Sequence, residues 1–104
     1  MTPTLTAPDP AVFPEDVRRF AAERGVTEYL VPLYELAKRC FDGADVTVRQ
    51  EDDWEIPGLS WIVYEVAVGD WDLERIQTSY GRWTTAFLQA CPGDNRMSFA
   101  LGMR

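Results

Sequence analysis

The chain has 104 residues, with ten basic and seventeen acidic side chains, two cysteines and no histidine. That length makes one domain with one modest core, the missing imidazole removes the commonest acid–base group at neutral pH, and two cysteines alone cannot close a structural zinc site. A net charge of −7 works against nucleic-acid and anionic-membrane binding, both of which need Lys and Arg against phosphate.

Residues 1–11 hold three Pro and three Thr and read as a flexible tail, with residues 12–104 as a single domain. The first ten residues lack the basic and apolar regions of a signal peptide. No apolar run approaches the roughly 20 residues that span a bilayer, and the cysteines suit a reducing compartment. A cytoplasmic location is therefore expected.

A first helix is predicted over 14–24. Pro14 fits the first helical position, and Glu15 and Asp16 suit the positive end of the helix dipole. Phe13, Val17, Phe20, Ala21 and Arg24 share one face, and Gly25 is a natural stop. A second helix follows, opened by Thr27 or by a separate turn over 28–31. Pro32 is acceptable only in its first turns. Leu33, Tyr34, Leu36, Ala37, Cys40 and Phe41 form its apolar stripe, and Gly43 closes it.

The period then changes from 3.6 to 2. Val46, Val48 and Gln50 alternate with Asp45, Thr47, Arg49 and Glu51, which predicts a half-buried strand over 44–50. Pro57-Gly58 marks a turn. Residues 60–68 are almost continuously apolar and predict a strand covered on much of both faces. Its one charged residue, Glu65, should lie at an opening or against a cation. Asp70 or Asp72 can cap a third helix whose face is Leu73, Ile76, Tyr80, Trp83, Phe87 and Cys91. Gly81 inside it costs about 1 kcal/mol and either admits another backbone or is merely tolerated. Pro92-Gly93 ends the helix. Met97, Phe99, Leu101 and Met103 then alternate with Ser98, Ala100 and Gly102, predicting a third strand buried on the Met/Phe side.

The order is ααββαβ, an α+β fold. The first two strands make a hairpin, and the third helix is a crossover, so the third strand runs parallel to the second. It lies beside the second strand or on the far side of the first. The result is a three-stranded mixed sheet with helices on one face and the other face at least partly open.

Ten of the seventeen acids and only one base, Arg49, fall between Asp42 and Glu74. A field concentrated in this way steers basic partners. Trp54 stands within it, among Asp52, Asp53 and Glu55, in the loop between the first two strands. Indoles dominate interface hot spots and acidic rims select basic partners. Asp52, Asp53, Trp54, Glu55 and Glu65 are therefore the candidate protein-binding residues. The function that follows is a non-enzymatic adaptor, chaperone-like or inhibitor-like module for a basic protein. A buried Trp54, folded back as a lid on the sheet, would leave the loop as architecture.

Two other readings compete. Paired carboxylates could serve as acid and base in a small hydrolase or hold a metal ion, although the calcium-loop pattern with its central Gly is absent. Alternatively the chain is a structural or homodimeric module, associating through the edge of the third strand or through the aromatic third helix. Cys40 and Cys91 lie on apolar faces and read as core thiols. Gly-rich phosphate loops are absent, so no cofactor is expected.

Glu55-Ile56-Pro57-Gly58, the run Trp61 to Val68, Tyr80-x-x-Trp83, Cys91-Pro92-Gly93 and Phe99-Ala100-Leu101 together resemble a group of small uncharacterised bacterial proteins. The resemblance covers residues 14–103. It implies a bacterial source and a small α+β fold, and it carries no activity and no residue role.

Overall fold

A computed structural model describes residues 8–104. Along the chain it has α1 (Glu15–Arg24), a 3-10 turn (Thr27–Tyr29), α2 (Leu30–Cys40), β1 (Val46–Asp52), β2 (Ser60–Val66), α3 (Leu73–Ala90), a second 3-10 turn (Gly93–Ser98) and β3 (Phe99–Met103). The expected flexible tail falls mostly on residues 1–7, outside the described residues. From Asp9 the chain is already turned: its carbonyl accepts the N–H groups of Val12 and Phe13, and its carboxylate accepts that of Ala11.

α1 starts just after Pro14 and stops at Gly25, whose φ of +69° places it in the left-handed region that favours glycine. The entry to α2 combines both expected arrangements, since a 3-10 turn over Thr27–Tyr29 runs directly into a helix that holds Pro32 in its first turn. A proline there removes no helical hydrogen bond, because the first N–H groups have no intrahelical partner.

The sheet order is β1-β2-β3, with β1 antiparallel and β3 parallel to β2. Of the two positions open to the third strand, it takes the one beside β2 and leaves that apolar strand in the centre. Pleating sends Ile62, Tyr64 and Val66 into the core, where they meet Leu30, Leu33, Phe41, Trp83 and Phe99. Tyr64 is fully buried, and its hydroxyl donates to the Leu30 carbonyl at 2.9 Å. Burial alone accounts for most of the strong upward displacement of its phenol pKa. Cys40 and Cys91 are both buried, as core thiols should be, and burial raises the pKa of each.

Three apolar residues differ from the periodicity. Leu73 is 69% exposed and Tyr80 is also exposed, while Ser79 and Trp83 are buried. Relative to the expected face, the buried side of α3 is rotated by roughly 50°, at 100° per residue, toward Ser79 and Ala86. Ser79 lines a cleft together with Arg39 and Cys40 of α2, and Ala86 packs against the core. Met97 was expected on the buried side of the last strand, yet it is 76% exposed. The chain from Gly93 to Ser98 is a 3-10 turn, which ends the two-residue alternation before it reaches Met97. A Cβ at Gly81 would meet nothing within 4 Å, so no backbone approaches it and it is only tolerated.

Candidate functional site

The β1–β2 connection is built by two local devices. Pro57-Gly58 forms a turn closed by the Leu59 N–H donating to the Ile56 carbonyl, with Gly58 at φ +84°. That combination is a type II turn, in which Gly supplies the positive φ. The second device is Asp53. Its Oδ1 accepts the backbone N–H groups of Glu55 at 2.7 Å and Ile56 at 2.9 Å, and its own N–H donates to the Leu59 carbonyl. Asp side chains favour such turns because they substitute for a backbone acceptor.

These bonds turn Asp53 inward and Trp54 outward. Trp54 is 90% exposed and Ile56 54% exposed, with Leu59 beside them. Exposed Asp52 and Glu55 flank this apolar group, and Asp52 is tied to the Ser60 hydroxyl. Three large apolar side chains therefore project from one short, internally bonded tip. The sequence reading found Trp54 but missed Ile56 and Leu59. Their signal was the Pro57-Gly58 turn between them, which leaves its flanking side chains no core to enter.

Glu65 does not join this tip. It pairs in register with Thr47, five residues along β2 from Ser60, which is roughly 17 Å at strand rise. It lies on the bare face of the sheet between two cations: Arg49 Nη2 at 3.2 Å and Arg104 Nε at 3.4 Å. Arg49 also reaches Glu51 at 3.3 Å, and the Trp61 indole N–H donates to Glu51. The hydrogen bond that Arg49 donates to Glu65 is the main reason the Arg49 pKa is raised. The expectation that Glu65 meets a cation holds, while its grouping with Trp54 separates into two places.

The remaining carboxylates are divided as well. Asp72 caps α3 by accepting the Arg75 N–H at 2.8 Å. It stands at the opposite end of the sheet from the tip, beside a cleft of about 420 Å³ between α2 and α3. There the Arg75 guanidinium stacks 3.5 Å above Trp71 and donates to the Asp42 carbonyl. Three arginines line that cleft, balanced by the carboxylates of Asp42, Asp72 and Glu74. Among the described residues, no three Asp, Glu or Cys side chains come together as a metal site. None of the described helices is long and apolar enough to cross a membrane.

Compared with known protein families, curated proteins and solved structures, the chain matches none.

Proposed function

We propose that the β1–β2 tip is a docking knob for a basic protein partner, and that the chain acts as a non-enzymatic binding module of the adaptor or inhibitor kind. The observation that carries this reading is Trp54, held 90% exposed on a loop whose backbone is fixed by Asp53. An indole left in water on a bonded loop is pre-organised for insertion into a hollow, and little ordering entropy remains to be lost on binding. Ile56 and Leu59 widen the apolar contact, and Asp52 and Glu55 supply a negative rim that selects Lys and Arg around the receiving hollow.

Hydrolysis by the same carboxylates has less support. Asp52, Asp53, Glu51 and Glu65 each hold a structural hydrogen bond or ion pair, so the carboxylates around Glu55 are already engaged.

The test is affinity capture on the immobilised full chain from cell extract at low salt, compared with Trp54→Ala and with Asp52→Asn/Glu55→Gln. The reading expects the same basic proteins to be retained by the wild type, released on raising salt, and reduced about tenfold or more by Trp54→Ala, as a hot-spot truncation requires. Retention that is indifferent to Trp54→Ala overturns it.

A further inference from the structure

β3 offers a second and independent surface. It packs against β2 on one side and continues from the 3-10 turn that precedes it, so among the described residues its other side is a sheet edge. Arg104 donates its N–H to the Val66 carbonyl and accepts from the Val68 N–H, which turns both of its backbone groups toward β2. Backbone direction alternates along a strand. Ala100 and Gly102 therefore also bond toward β2, and the N–H and C=O groups of Leu101 and Met103 point outward. The Phe99 carbonyl points outward as well, while its N–H is taken by the Arg96 carbonyl.

Edges of this kind are normally guarded by charge, proline or a covering element. β1, the opposite edge, carries Arg49, Glu51 and Asp52. The β3 sequence Phe99-Ala100-Leu101-Gly102-Met103 carries no charge and no proline. Its last side chain, Met103, is 41% exposed, and Met97 just ahead of the strand is 76% exposed.

We infer that β3 pairs antiparallel with β3 of a second copy of this chain, across a two-fold axis at Leu101. In that register Leu101 exchanges reciprocal N–H to C=O bonds with the partner's Leu101, and the Met103 N–H donates to the carbonyl of the partner's Phe99. The outward groups thus complement themselves, and the side chain of Met103 gains an apolar neighbour across the seam. Charge places the contact. Two chains of net charge −7 repel where their acids face each other, and the uncharged β3 edge lets them approach without that cost. The two sheets become one six-stranded sheet, and both tips remain free. A single five-residue seam falls below the roughly 1,600 Å² of a standard interface, which places the dimer in the weak class.

Sedimentation of the full chain between about 10 µM and about 1 mM, a range that brackets weak dimers, should show a monomer converting to a dimer. Over the same range, hydrogen exchange should slow at the Leu101 and Met103 amides, while the Ala100 and Gly102 amides stay protected throughout. Met103→Pro removes an outward donor and leaves the β2 ladder intact, and it should weaken the dimer about tenfold or more. Met103→Lys, which keeps the backbone unchanged, should do the same by placing a charge in the seam. A chain that stays monomeric across the range overturns the inference. So does a dimer that survives both Met103 variants and is lost in Leu88→Ser, which would place the interface on α3. Neither result touches the Trp54 tip, whose capture assay reads a different partner.

Discussion

The two faces of β2 solve different problems with one strand. Toward the helices, Ile62, Tyr64 and Val66 sit in a closed apolar layer whose polar atom, the Tyr64 hydroxyl, is satisfied by a main-chain carbonyl. On the bare face, Trp61, Val63 and Glu65 form a thin layer. Val63 is buried there although it lies outside the helix-side core, and Glu65, Arg49, Glu51 and Arg104 line the surface around it. A covered face gains stability from apolar area. An uncovered face can bury one aliphatic side chain only where its neighbours lie flat and the next strand comes close.

The sharpest way to separate these faces is to empty one of them. Trp83 is buried, packs beside Tyr64 at 6.2 Å between ring centroids and stacks on Phe87 at 5.5 Å. Trp83→Ala should cost about 3–5 kcal/mol, the range for large aromatic truncations in a core, read as a lower midpoint in urea denaturation. A loss near 1 kcal/mol would mean that α3 rests on the sheet far more loosely than its buried face indicates.

On the bare face the corresponding constraint is closeness. A Cβ added at Gly102 would sit 3.0 Å from Val63 Cγ1, so this glycine leaves the room that the Val63 side chain fills. Gly102→Val should cost about 1–3 kcal/mol, as overpacking does. Adding Val63→Ala should recover part of that loss in a double-mutant cycle. Strict additivity of the two changes would show that the thin layer is not tightly packed.

Tyr64 gives the covered face a pH signature. Its phenol, ordinarily near 10.0, is raised mainly by burial, so the folded chain keeps a proton that the unfolded chain releases. The stability associated with that proton is fully present below the unfolded value and falls as pH rises past it. The buried thiols, with ordinary values near 9.0, act in the same direction. Urea midpoints should therefore decline above about pH 9–10. Tyr64→Phe should reduce the decline, at a cost of about 0.5–1.5 kcal/mol for the lost hydrogen bond to the Leu30 carbonyl, which keeps its helical partner in α2. A flat alkaline limb in the wild type would count against full burial of the phenol.

Much of the covered face was legible from the amino-acid sequence, because periodicity reports burial directly. The alternation over Val46, Val48 and Gln50 and the Gly25 stop each have one physical reading, whereas the long apolar run of β2 marks its helix side and overstates the cover on its other face. What resisted were features set by contacts between elements. The rotation of α3 brings small Ser79 and Ala86 to its buried side, which a count of large apolar residues cannot register. The exposure of Trp54 depends on the Asp53 side chain choosing the N–H groups of Glu55 and Ile56, and Asp53 has the same composition-level signal as its neighbour Asp52. The separation of Glu65 from the tip follows from strand length alone. Grouping it with Trp54 treated nearness in charge along the sequence as nearness in space.

The smallest effect belongs to the ion pairs of the bare face. Glu65 is partly exposed and held by Arg49 and Arg104, which are more exposed still, so solvent screens both pairs. Glu65→Gln keeps the shape and removes the charge, and should cost about 0.5–1 kcal/mol at low salt, shrinking as salt rises. The salt dependence carries the distinction between the faces. If Glu65 works mainly as a cover for Val63, the glutamine variant keeps the cover and the loss is near zero at every ionic strength. If its charge anchors Arg104 at the end of β3, the loss appears at low salt and fades at high salt, and the Arg104 amide, bonded to the Val66 carbonyl, exchanges faster in the variant. The second pattern is the expected one, because both cations reach the same carboxylate from neighbouring strands and tie β1, β2 and β3 together across a face that none of the described helices covers.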